Sequence, residues 1–210
     1  MIAAVTMDLV GSRRIADRAA AQREIDDALA RVGRVGPKPI TPLHPTVGDE
    51  TQGVYAELDD ALAAVLLLRL RLPDDVDCRF GIGLGAVGSI PSAAGDISEG
   101  PGWWAAREAI DTVHRLQQRA VPGARTWVAA ADDASGLDLP HVNAYLLARD
   151  QLVTSMSERT RRLAYGRCLG TSQRDLAGAE GITQSAVSQA LASAGAAAVV
   201  EGYRLLRHGS

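Results

Sequence analysis

Asp8 ends the short apolar run from Ile2 to Met7, and Asp49 lies between Gly48 and Glu50. If residues 2–8 form a strand and residues 41–47 and 51–55 form a hairpin around Gly48-Asp49-Glu50, one sheet brings these acids together. Hard carboxylate oxygens so placed suit Mg2+. Asp8 and Asp49 are therefore the candidate metal ligands and Mg2+ the candidate cofactor. The backbone that follows, Leu9-Val10-Gly11-Ser12, has N–H groups suited to phosphate oxygens, so Gly11 and Ser12 join the ligand-binding candidates, with Glu50. Arg13, Arg14 and Arg18 either reach phosphate or begin a solvated helix. Trp103 and Trp104 fall on one expected helix and offer an aromatic face for a purine. Adjacent helix residues do not share a face, so one tryptophan at most touches a given ligand; Trp103 is the candidate. The competing reading is plain: turn acids, and tryptophans that pack in the core or on a dimer surface.

The elements that would position these residues follow from periodicity and breakers. Apolar spacing at Ile25, Ala28, Leu29 and Val32 predicts a helix over 18–32, stopped by Gly33, Gly36, Pro37 and Pro39. Residues 57–71 read as a mostly buried helix and 77–85 as a Gly-rich strand that something approaches closely. Residues 86–100 read as a loop. Pro101 opens a helix to Arg119, and 125–130 is a further strand. The order β-α-β-β-α-β-α-β is an α+β arrangement with a mixed sheet, placed in residues 1–135. A linker helix is expected at 136–156 and an all-α unit at 157–210.

That last unit carries its own pattern. Ser172 with Asp175 resembles a capping box, Gly181 makes a turn, and Thr183 caps a further helix. The spacing Ala177, Gly181, Val187 is that of DNA-binding helix-turn-helix motifs. Gln184, Ser185, Ser188 and Gln189 would form the outer face of the last of these helices, suited to base edges and phosphates. Ser172, Gln173, Arg174 and Thr183 complete the candidate DNA-binding set. Residues 157–210 hold seven arginines and four acids, a net +3, against 15 basic and 21 acidic residues before them. A basic tail on an acidic body suggests a polyanion partner for the tail, and one weakly charged unit would need a dimer to hold DNA. The rival reading is a small helical dimerisation module.

Composition limits the class. The chain has 210 residues, 47% hydrophobic and 22% charged, enough apolar content for a core. No apolar run reaches the roughly 18–20 residues that span a bilayer. The first eight residues lack a basic segment, which predicts no secretory leader. Cys78 and Cys168 have no metal-type spacing and predict neither disulfide nor zinc site. The four histidines are scattered, with no triad or ligand spacing. The working class is a cytoplasmic protein.

Four ordered blocks carry a resemblance. They are Thr6-Met7-Asp8-Leu9-Val10-Gly11-Ser12, Val47-Gly48-Asp49-Glu50-Thr51-Gln52-Gly53, Arg79-Phe80-Gly81-Ile82-Gly83-Leu84-Gly85 and Gly100-Pro101-Gly102-Trp103-Trp104-Ala105-Ala106-Arg107. Together they resemble the SatD family of bacterial proteins, itself similar to class III nucleotidyl cyclases and GGDEF-type cyclases of ferredoxin-like fold. The resemblance implies that Asp8 and Asp49 match the cyclase metal-binding acids and that Arg107 matches the phosphate-contacting arginine. It also marks departures. Trp103 stands where a ribose-orienting asparagine is expected, and Pro45 where a base-selecting lysine is expected. Asp96 lies near the adenine-selecting acid. Loss of orienting groups harms phosphoryl transfer more than binding, so cyclisation of ATP or GTP is not expected.

The function predicted from these features is a ligand-responsive, DNA-binding transcriptional regulator, a homodimer whose degenerate cyclase-like domain senses a nucleotide or cyclic nucleotide. The alternative is a metal-dependent nucleotidyl-transfer or nucleotide-hydrolysing enzyme using Asp8, Asp49 and Arg107. A third reading is a scaffold whose cyclase-like domain only dimerises.

Overall fold

A computed structural model of the chain describes residues 1–12, 15, 17–46, 50–91, 97–131, 136–193 and 195–208. Strand β1 is Ala3–Leu9, followed by helix α1 (Arg18–Val35), strands β2 (Thr41–Pro45) and β3 (Glu50–Tyr55), and helix α2 (Leu58–Arg71). Strand β4 (Cys78–Leu84) leads into a short ribbon, β5 (Gly88–Ile90) and β6 (Ile97–Glu99). Helix α3 (Pro101–Arg119) and strand β7 (Thr126–Ala130) complete the sheet region. Helices α4 (Leu139–Ser155), α5 (Glu158–Cys168), α6 (Gln173–Glu180), α7 (Gln184–Ser193) and α8 (Ala196–His208) follow.

The main sheet has the order β2-β3-β1-β4-β7. Neighbours are antiparallel except β4 and β7, which are parallel, so the expected mixed α+β sheet is present. Period two sorts β1 onto two faces. Ala3, Val5, Met7 and Leu9 pair with Leu84, Ile82, Phe80 and Cys78 on the apolar face, all buried. Thr6 and Asp8 pair with Gly81 and Arg79 on the other face. Helix α3 lies close against that second face because β4 has glycines there. A Cβ on Gly83 would sit 2.0 Å from the Gly102 carbonyl oxygen, and one on Gly81 would sit 2.3 Å from that of Ala106. This is the close approach that the Gly-rich strand signalled.

Helix α2 is apolar nearly all round, a pattern that requires cover on every side. The sheet covers one side, while α5 and α8 cover others. A single cluster of buried side chains therefore runs from β1 through α2 to Leu163, Val187 and Tyr203. Both cysteines are free and buried within it.

Two local expectations differ in detail. The first helix runs through Gly33 to Val35, because Gly36 N–H bonds the Val32 carbonyl (2.7 Å) and Lys38 Nζ donates to the Gly33 and Arg34 carbonyls (3.2 and 3.1 Å). Residues 86–100, read as a loop, contain the β5–β6 ribbon, a pairing that its Gly/Ser/Pro composition concealed.

Candidate functional site

At the C-terminal end of β1, Asp8 stands opposite Glu50 of β3 on one side and Arg79 of β4 on the other. Directly paired residues share a sheet face, with Cβ atoms about 5 Å apart. Asp8, Glu50 and Arg79 thus form a row on the face where α3 packs. Arg79 Nη2 donates to Asp8 Oδ2, and Arg79 Nη1 donates to Gln117 Oε1 of α3 at 3.3 Å. The Nε of Arg79 is buried without a hydrogen-bond partner. Arg107, one turn below Trp103 on α3, pairs with Glu50 at 2.7 Å. Gln52 Nε2 also donates to Glu50 (2.8 Å), and Ser98 Oγ of β6 donates to Gln52 Oε1 (2.6 Å). The ribbon thereby joins the site through Ser98.

These charges differ in exposure. The Arg79 side chain is 9% exposed and that of Arg107 is 56% exposed. Arg107 is thus free to leave Glu50 for a ligand, whereas Arg79 is fixed. Asp8 and Glu50 together supply two hard-oxygen donors. Among the described residues, no group of three or more His, Cys, Asp or Glu gathers as a metal cage. A pair of carboxylates still fits Mg2+, which is held by one or two of them together with substrate phosphates.

The remaining expected residues divide. Asp49, the second expected metal ligand, lies outside the described residues, as do Asp96, Arg13 and Arg14. Gly11 is in the left-handed region (φ 67°) and exposed. Ser12 is half-buried. The Val10 N–H is engaged by the Asp77 carbonyl at 2.8 Å, so it is not a free phosphate donor. Trp103 is half-buried and Trp104 is exposed. Arg79 was not among the expected residues. Its signal was the two-residue alternation Arg79, Gly81, Gly83, which sets it on the glycine face with Asp8.

In the tail, Ser172 caps α6 and Thr183 accepts from Ala186 N–H at the start of α7, joined by Gly181 in the left-handed region. Gln184, Ser185, Ser188, Gln189 and Arg174 are exposed, and Gln173 is half-buried. The neighbouring arginines are occupied by the protein's own acids. Arg162 Nε and Nη2 both donate to Glu180 at 2.8 Å, and its Nη1 to Glu158 at 2.7 Å. The Arg162 hydrogen bond holds the Glu180 carboxyl below its usual range. Arg161 pairs with Asp74 at 2.7 Å, and Arg207 pairs with Asp60. Two of the seven tail arginines thus meet acids of the body, while Arg162 is held by acids of the tail itself.

The SatD family model matches residues 2–201. The chain belongs to the SatD family. No curated protein matches it in sequence. Several solved structures resemble it. One is the dimeric guanylyl cyclase domain of RhoGC from the aquatic fungus Blastocladiella emersonii, at 12% identity and TM-score 0.41, covering 53% of this chain and 73% of that one. Another is a bacterial light-regulated adenylyl cyclase, at 10% identity and TM-score 0.41, covering 57% and 71%. A third is the guanylate cyclase domain of RhGC from Catenaria anguillulae, at 15% identity and TM-score 0.36, covering 56% and 72%. The expectation of a DNA-binding transcriptional regulator, with double-stranded DNA as partner, is overturned. The resembling structures are nucleotide cyclase domains. Part of the charge asymmetry that suggested DNA is spent within the chain, where Arg161 and Arg207 of the tail meet Asp74 and Asp60 of the body. No helix among the described residues is long and apolar enough to cross a membrane.

Proposed function

We propose that this SatD-family chain is a Mg2+-dependent enzyme acting on the phosphate chain of a nucleoside triphosphate, by nucleotidyl transfer or hydrolysis. The observation that carries this reading is the row formed by Asp8 and Glu50, each ion-paired to a different arginine on one sheet face. Two acids for a cation, one oriented by the buried Arg79 and the other beside Arg107, which can turn to phosphate, suit phosphoryl chemistry, which depends on positioning and charge stabilisation.

Mg2+, when bound, neutralises phosphate oxygens and polarises the phosphorus they surround. Asp8 and Glu50 would hold it, with Asp49 beside Glu50 in the chain as a further donor. Arg107 exchanges Glu50 for a phosphate oxygen, because its side chain is half in solvent and loses little on moving. Arg79 stays with Asp8 and fixes its orientation, buried and tethered to Gln117. Trp103, one turn from Arg107, is placed for the base to stack on, and Pro45 stands where a base-selecting lysine is expected; relaxed base choice follows.

A homodimer belongs to the same proposal. Trp104 is 60% exposed, and Ile90 and Ile97 on the ribbon are also exposed. Light scattering at micromolar concentration, with and without Trp104→Asp, tests it.

The enzymatic reading is tested by incubating the protein with ATP or GTP and Mg2+ or Mn2+ and resolving the products. Turnover lost in Asp8→Asn and Glu50→Gln supports it. Nucleotide left intact by the wild-type protein overturns it.

A further inference from the structure

On the apolar side of the sheet, a cavity of about 200 Å3 opens where the end of α2, the start of β4 and the helices α4 and α5 meet. Its lining includes three arginines, Arg69, Arg125 and Arg161, each more than nine-tenths buried. Each comes from a different part of the chain: α2, the segment before β7, and α5. Arg69 donates to Asp150 (2.7 Å) and Thr154 (3.0 Å). Arg125 grips Asp77 at 2.7–2.9 Å. Arg161 donates to the Leu72 and Met156 carbonyls and to Asp74. Its Nε is buried without a hydrogen-bond partner.

The charges here do not balance. Arg149 also pairs with Asp150, at 2.9 Å. Four guanidiniums (Arg69, Arg125, Arg149, Arg161) therefore meet three carboxylates (Asp74, Asp77, Asp150). The Nη1 of Arg149, outside the cavity lining, is also buried without a partner. Buried charge is tolerated when it is paired. Arg149 shares Asp150 with Arg69, so Arg69 is only part-compensated, and an under-compensated guanidinium beside an open cavity suits an anion. The space exceeds that of several waters, each about 30 Å3 in the liquid. Guanidiniums present forked donors that match the oxygens of phosphate.

We propose that this cavity binds a small oxyanion, either inorganic phosphate or the phosphoryl group of a phosphate ester. The site bridges the sheet region and the tail helices, so a bound anion would tighten the join between them. Asp74 sits at its mouth with its side chain 68% exposed and competes for Arg161.

The test is a thermal melt and calorimetric titration of the full chain with inorganic phosphate, against sodium chloride at matched ionic strength. Adenosine monophosphate is a second arm. A saturable rise in melting temperature with phosphate beyond chloride is the expected result. Asp74→Asn removes the competing acid and should tighten phosphate binding about fivefold, the size of one partly exposed charge interaction. Arg161→Gln should abolish it; if that variant does not fold, Asp74→Asn decides alone. Binding of the monophosphate with the same Asp74→Asn gain identifies an esterified phosphoryl group, and its failure while phosphate binds identifies the free anion. Equal melting curves in phosphate and chloride, or an unchanged midpoint in Asp74→Asn, would overturn the proposal.

Discussion

Asp8 and Glu50 face each other across β1 and β3, and each carboxylate is held by a guanidinium from a different element. Arg79 comes from the sheet itself, fixed by burial. Arg107 comes from the helix above and remains half exposed. The two acids are thus neutralised without a cation, and one of their partners is free to change to a phosphate.

Arg107→Ala is expected to lower turnover on the order of 10²–10³-fold, the usual cost of losing one donor to a developing phosphate charge. Arg107→Lys should recover little, since a point charge does not replace a fork. Steady-state kinetics on refolded, monodisperse variants provide the readout.

Gly83→Ala should uncouple α3 from the sheet. The added methyl would lie 2.0 Å from the Gly102 carbonyl oxygen and 2.2 Å from Ala106 N, both backbone atoms that cannot rotate away. Overpacking of this kind costs about 1–3 kcal/mol or more, and urea denaturation measures it. The same variant displaces Arg107 relative to Glu50, so activity should fall with stability.

Asp150 is the hub of a buried network. It accepts from Arg69 and Arg149 and from the N–H groups of Arg125 and Thr126, at 2.6–2.9 Å. Burial alone would push its carboxyl up; Arg69, Arg149 and the backbone donor outweigh that and hold it below the usual range. A depressed folded-state value means its stabilisation is present above the unfolded carboxylate value, about 3.9, and is lost as pH falls through the folded one. Asp150→Asn leaves Arg69 and Arg149 without a counter-charge and should cost about 3–5 kcal/mol. Stability measured from pH 7 down to pH 3 should fall less steeply in the variant.

Removal of residues 157–210 should prevent native packing of the rest. Helix α2 is buried on all sides, and α5 and α8 provide part of that cover. The truncated chain is predicted to bind a hydrophobic dye and to melt without a cooperative transition. A sharp transition near that of the full chain would show that the sheet region stands alone.

Local patterns carried much of this fold. The alternation in Ala3–Leu9 and Cys78–Leu84, the caps at Ser157, Ser172 and Thr183, and the left-handed turn at Gly181 are short-range effects that the sequence displays directly. Asp8 and Glu50 were candidates from type and position, and Arg107 a candidate from the family resemblance. Arg79 was harder, because its role depends on the register between β1 and β4. The destination of the tail arginines was not legible at all. Arg161 meets Asp74 and Arg207 meets Asp60 across 87 and 147 positions, and composition alone cannot distinguish charges meant for each other from charges meant for a partner.

The most direct measurement is product analysis after incubating the wild-type protein and Asp8→Asn with ATP or GTP and Mg2+. Release of phosphate or pyrophosphate by the wild type, lost in the variant, is the predicted result. No product from the wild type, or equal product from both, would contradict the reading of Asp8 and Glu50 as the cation-holding acids of a phosphoryl-transfer site.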